Sequence, residues 1–102
     1  MEFDGFDWDW GNREKCQKHG VSIRQIEELF RGVVFVGPDL WHSAAEERFR
    51  AIGRTTDQRS IFVAFTWRQR GNQRLIRPVS ARYMHQKEVV AHEKKISASE
   101  NR

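Results

Sequence analysis

Three consecutive segments, residues 48–55, 61–68 and 74–82, read as β-strands separated only by the turn signals Asp57-Gln58 and Gly71-Asn72. Strands joined by such short turns pair as antiparallel neighbours, because a parallel pairing needs a crossover of about a dozen residues or more. The centre of the fold is therefore expected to be an antiparallel meander. Side chains alternate along a strand, so Arg48, Arg50 and Arg54 project from one face while Phe49, Ala51 and Gly53 occupy the other. In the last segment Arg77 is out of phase with Ser80 and Arg82. Pro78 lacks an N–H and favours a bulge, and one extra residue there would swing Arg77 to their side.

The flanking segments supply the rest of the elements. Phe6, Trp8 and Trp10 alternate with acidic residues, the pattern of a short half-buried strand that Gly11 and Asn12 end. Asn12 suits the N-cap of a first helix whose last turn carries Lys18 and His19, with Gly20 at the left-handed position beyond it. Ser22 with Gln25 forms a capping-box signature ahead of the stripe Ile23, Ile26, Leu29 and Phe30, which predicts a second helix. Residues 33–36 are a brief, β-branched apolar run closed by Gly37 and Pro38, a strand; residues 39–47 read as a loop. Residues 83–96 contain no Gly or Pro and predict a closing helix. The expected class is α+β, order βααββββα, an antiparallel sheet with helices packed on one face. At 102 residues the chain has room for one core, so residues 1–96 are expected to form a single domain and 97–102 a flexible polar tail.

Charge is partitioned along the chain. The first 47 residues carry 5 basic and 10 acidic side chains, residues 48–82 carry 9 and 1, and the remainder 4 and 3, within a net charge of +4. All nine cations of the middle block are arginines, whose planar forks suit phosphate better than ammonium does. One reading is a solvated sheet face paired with Glu46, Glu47 and Glu88. The other is a nucleic-acid backbone, since crowded like charges are unfavourable unless an anion relieves them. No apolar run approaches the ~20 residues of a membrane span, and the acidic start lacks signal-peptide character, so a cytoplasmic protein is expected. The lone Cys16 and scattered histidines show no metal-ligand spacing, and neither metal nor cofactor is expected.

Metal-free cleavage of RNA needs a base for the ribose 2′-hydroxyl, an acid for the leaving oxygen and fixed positive charge around the phosphate. His19 is the first proton carrier to consider, although a helix C-terminal histidine also complements the helix dipole. Lys15 shares its helix face at four residues' distance, and Lys18 adjoins it. Glu47 and Glu88 are the candidate carboxylates, each also a natural partner for an arginine. His42, His85 and His92 have no supporting constellation in the sequence. The aromatic residues serve either the core or base stacking.

The ordered set Trp10-Gly11-Asn12, Lys15, Lys18-His19-Gly20-Val21-Ser22, His42-Ser43, Glu47-Arg48-Phe49, Gly53-Arg54-Thr55, Phe65-Thr66-x-Arg68 and Arg77 to Met84 with Lys87-Glu88 resembles the BrnT toxins. The resemblance implies a RelE-like ribonuclease fold, RNA cleavage that halts translation, and neutralisation by a BrnA-like antitoxin, through which operator DNA is contacted only indirectly. It carries an active-site or RNA-binding role onto Lys18, His19, Arg54, Arg68, Arg77, Arg82 and Glu88. On this reading Arg54, Arg68, Arg77 and Arg82 hold the scissile phosphate, Lys15, Arg48 and Arg50 add RNA contacts, and His19 shares proton transfer with Glu88 or Glu47. The chain departs from the family pattern at His92, where an aromatic residue is common, and at Cys16, where an aliphatic one is. The rival expectation is a domain that binds nucleic acid, or an antitoxin as co-repressor, without cleaving anything.

Overall fold

The computed structural model describes residues 1–39 and 46–100, with side chains to residue 98; His42, Ser43 and most of the expected 39–47 loop lie outside the described residues. The elements run β1 (Gly5–Phe6), α1 (Trp10–Gln17), α2 (Ile23–Arg31), β2 (Phe35–Pro38), β3 (Phe49–Arg54), β4 (Ser60–Arg70), β5 (Gln73–Tyr83) and α3 (Gln86–Glu100). They form an α+β domain around one five-stranded sheet, ordered β1-β5-β4-β3-β2. From β2 to β5 the pairing is the expected antiparallel meander, and the turns place Gln58 and Gly71 at positive φ.

The sheet is mixed rather than wholly antiparallel. β1 adds to the free edge of β5 in parallel, Gly5 opposite Leu75 and Phe6 opposite Ile76, with Asp4 N–H and Asp7 N–H donating to the Arg74 and Ile76 carbonyls. Three other strands and two helices separate the pair in sequence, so the chain has ample length for the crossover a parallel pairing demands. β1 is also shorter than the Phe6-Trp8-Trp10 alternation predicts. Asp9 caps α1 at 3.0 Å from Asn12 N–H, while the Asn12 side chain accepts from Asp9 N–H at 2.7 Å. This reciprocal capping box starts the helix at Trp10, and Asn12 is its third residue rather than its cap. Asn12 is buried and its Nδ2 donates to the carbonyls of Asp7 and Pro78, which ties α1 to β5.

The helices do not gather on one face. Ser22 caps α2 with Gln25 as its sequence predicts, and Ile26, Leu29 and Phe30 pack with Cys16 and Val21 against Ala51, Ile61, Val63, Phe65, Ile76 and Ala81. Gly53 lets α2 pack closely there, since a Cβ would press on Leu29 Cδ1 and come within 3.0 Å of the Val33 carbonyl. Ile52, Phe62, Ala64, Ser80 and Arg82 alternate with those positions and face the other way. α3 lies over this second face, where His92 meets Phe35 edge to face and Glu88 and Glu93 pair with Arg82 and Arg54. The second face is partly apolar, which is why it draws a helix of its own. β5 continues through Tyr83, so α3 begins three residues later than predicted, and it runs on to Glu100.

Ser80 lies opposite Ala64 and Pro78 opposite Phe65, leaving Val79 as an extra residue. Arg77 thereby pairs with Thr66 and shares the face of Ser80 and Arg82, as the Pro78 bulge predicts.

Candidate functional site

The α3 face of the sheet carries a groove of about 680 Å³ between the strands and α3. Its floor is apolar, from Phe35, Ile52, Phe62 and Ala64, and its cations are Arg48, Arg50, Arg82 and Lys95 against the carboxylates of Asp39 and Glu88. The meander delivers this arrangement directly: Arg50 lies opposite Ala64, Ala64 opposite Ser80, and Phe62 opposite Arg82, so adjacent strands contribute to one face.

Arg82 is the most constrained cation in the groove. Its two terminal nitrogens donate to the two oxygens of Glu88 at 2.7 and 2.9 Å, and its guanidinium lies 5.0 Å from the Phe62 ring centre. Glu88 also accepts from His85 N–H at 2.9 Å, which closes the first turn of α3. The Arg82 hydrogen bonds, and after them the His85 N–H, hold the Glu88 carboxyl down at about 2; Glu88 in turn raises the pKa of Arg82.

The other arginines of the block are relieved mostly from within the chain. Arg54 pairs with Glu93, Arg68 with Glu46, Arg70 with Asp7, and Arg77 with Asp9 at 2.8 Å and Asp7 at 3.5 Å. The Asn12 N–H, then Arg77, lowers the pKa of Asp9. Arg59 and Arg74 stack on Tyr83 and Trp67 at 3.4 and 3.6 Å. Crowding alone thus does not demand an external anion, because acids of the first segment and of α3 answer most of the block. Arg50 is exposed and has no carboxylate partner among the described residues.

The sequence candidates divide spatially. Arg48, Arg50, Arg82 and Glu88 come together in the groove. Arg54 lines neighbouring hollows with Ser60, Val89 and Glu93. Glu47 is exposed just before β3, Arg68 is held at Glu46, and Arg77 sits at the β1 edge with its side chain 21 % exposed. Lys15 and Lys18 border a separate hollow on α1 with Gly11, Glu14 and Gln17, and His19 follows in the exposed turn; none of the three lines the groove. Burial pushes the Cys16 thiol up to about 12, which keeps it protonated.

Sequence reasoning passed over Lys95 and Asp39 and set His92 aside, yet all three line the groove. A signal was present: Glu88, His92 and Lys95 recur at helical spacing on one face of α3. Among the described residues no group of three or more His, Cys, Asp or Glu side chains is placed to hold a metal ion, and no helix is long and apolar enough to cross a membrane.

No curated protein matches the chain. The family model described as the ribonuclease toxin BrnT of type II toxin–antitoxin systems matches residues 8–88, a span that includes the four strands bordering the groove and ends at Glu88. That description implies an RNA substrate and an antitoxin partner. With most of its length matched, the chain belongs to the BrnT family of ribonuclease toxins.

Proposed function

We propose that this protein is a metal-independent endoribonuclease that stops translation by cutting RNA in the groove under α3, and that a BrnA-like antitoxin neutralises it. The observation that carries the reading is the groove itself: four cationic side chains stand above an apolar floor of Phe35, Ile52 and Phe62. Guanidinium and ammonium groups suit the phosphodiester and the charge that builds on it in the transition state, while the aromatic floor suits a base. Arg48, Arg50 and Arg82 hold the scissile phosphate, with Arg54 of β3, Arg68 of β4 and Arg77 of β5 as outlying contacts. Lys15, Lys18 and His19, on α1 and its following turn, lie outside the groove and take no part in the cleavage step.

In this reading Glu88 is a clamp. A carboxylate held at about 2 with both oxygens on Arg82 binds a proton too weakly to act as a base, but it fixes the guanidinium plane. Glu47 is exposed and remains a carboxylate available to substrate. The arginines and Lys95 supply the positive charge, so no divalent ion is called on.

The test is cleavage of single-stranded RNA, free and on translating ribosomes, with chelator present. Arg50→Ala removes a cation with no carboxylate partner to strand, and it is expected to slow cleavage on the order of 10²-fold. Arg24→Ala, an exposed site on α2, is expected to leave the rate unchanged. Equal losses in both variants would point to nonspecific charge and against the groove. Salt-sensitive binding of RNA with no cleavage would support the non-catalytic reading instead.

A further inference from the structure

Of the two carboxylates in the groove, Glu88 is engaged by Arg82 and Asp39 is buried, so a phosphodiester held there still needs a base. Among the histidines of the described residues, His92 is the one that lines the groove; His19 and His85 do not. Its ring packs edge to face against Phe35 at 5.1 Å between centres, an arrangement that sets the ring plane against the groove wall. His92 is half-buried and makes no hydrogen bond or ion pair among the described residues, so its nitrogens are available to a ligand. It stands one helical turn beyond Glu88, which grips Arg82, and three residues before Lys95. The charged groups around it are Asp39 after β2, Arg48 and Arg50 of β3, Arg82 of β5, and Glu88 and Lys95 of α3. On its other side the neighbouring hollow adds Arg54 and Glu93, which pair with each other.

We propose that His92 is the proton acceptor for the RNA 2′-hydroxyl, an assignment that rests on the ribonuclease reading above. One imidazole nitrogen takes the 2′-hydroxyl proton as the 2′-oxygen bonds to phosphorus. The bond from phosphorus to the 5′-oxygen breaks, and that oxygen leaves with a proton from water of the open groove. The imidazolium then returns its proton to solvent. The products are a 2′,3′-cyclic phosphate and a 5′-hydroxyl end, with nothing oxidised or consumed. Arg48, Arg50 and Lys95 offset the charge on the phosphorane. His92 and Lys95 lie beyond the family match at residues 8–88, so this role belongs to the chain's own closing helix.

The experiment compares the wild-type chain with His92→Phe, which keeps an aromatic ring against Phe35, and with His92→Gln. Free single-stranded RNA and messenger RNA on ribosomes serve as substrates, and an RNA with a 2′-O-methyl group at the cleavage position reports binding. Both variants are expected to bind that RNA within about threefold of wild type and to cleave on the order of 10²–10⁴-fold more slowly. The wild-type rate should climb with pH and then level off, and the climb should vanish in both variants. If both variants cleave at the wild-type rate, the His92 assignment fails while the ribonuclease reading stands. Parallel loss of binding and cleavage marks a packing role and also overturns the assignment. Loss on His19→Ala with retention in His92→Phe returns the base to the turn after α1. If wild type cleaves neither substrate, the ribonuclease reading fails and takes the proposal with it.

Discussion

The two faces of the sheet are held by different physics. Against α1 and α2, Ile61, Val63, Phe65, Ile76 and Ala81 are buried with Cys16, Ile26, Leu29 and Phe30 into one apolar core, with Phe30 edge-on to Phe65 at 5.1 Å. Against α3 the sheet offers Arg50, Arg54 and Arg82 beside Phe62. No described residue of α3 is buried; Glu88, Val89, His92 and Ile96 are half-buried at best. A face closed by apolar burial is stable and inert, whereas one closed by solvent-accessible ion pairs exchanges its partners cheaply. A phosphate can replace Glu93 on Arg54, an exposed single contact, at little net cost, and nothing comparable can enter the core. On the proposed function, the difference separates the part of the chain that specifies the fold from the part that meets RNA.

The largest effect should come from the core. Phe65→Ala is expected to cost about 3–5 kcal/mol in chemical denaturation, and Phe62→Ala, its neighbour on the α3 face, less than half of that. Equal losses would break the contrast. Next, Gly53→Ala drives a methyl group onto Leu29 and within 3.0 Å of the Val33 carbonyl, and about 1–3 kcal/mol should be lost by the same measurement. Asn12→Ala leaves the Asp7 and Pro78 carbonyls without their donor and should cost about 1–3 kcal/mol, with amide exchange quickening in α1 and β1 together.

The smallest effect belongs to the α3 clamp. Glu88→Gln should change global stability by no more than about 1 kcal/mol, yet speed amide exchange in α3 well before the strands respond. The same contrast has a pH signature. The Glu88 carboxyl is depressed in the folded chain, so its contribution is present above its ordinary value of 4.5 and is lost as pH falls toward about 2. Between those limits α3 should loosen while the near-ultraviolet signal of the aromatic core persists. Simultaneous loss of both would mean that the two faces are one cooperative unit.

The alternation of residues 48–82 was enough to deliver the meander, the turns and the arginine face, because each is a local pattern with period two. The Ser22 capping box and the Ile26-Leu29-Phe30 stripe likewise located α2. The parallel seat of β1 was illegible, since it depends on which sheet edge remains open after everything else has folded. Asn12 was misread as a cap because its role turns on Asp9 three residues earlier and on the distant Pro78 carbonyl. α3 carries a mixed pattern with no strong apolar stripe, so its side of the sheet could not be read from periodicity. The groove followed the same limit. Its strand residues were visible as a charge cluster, and the helical spacing of Glu88, His92 and Lys95 put those three on one helix face, but which sheet face they meet, and the arrival of Asp39, depend on tertiary placement.

The most direct measurement is nuclear magnetic resonance titration of the chain with an uncleavable 2′-O-methyl RNA oligonucleotide. Amide shifts should concentrate in residues 48–52, 62–64 and 80–84 and along α3, with little change over residues 11–19. Shifts confined to α1 and the turn at His19, with the α3 face silent, would contradict the account.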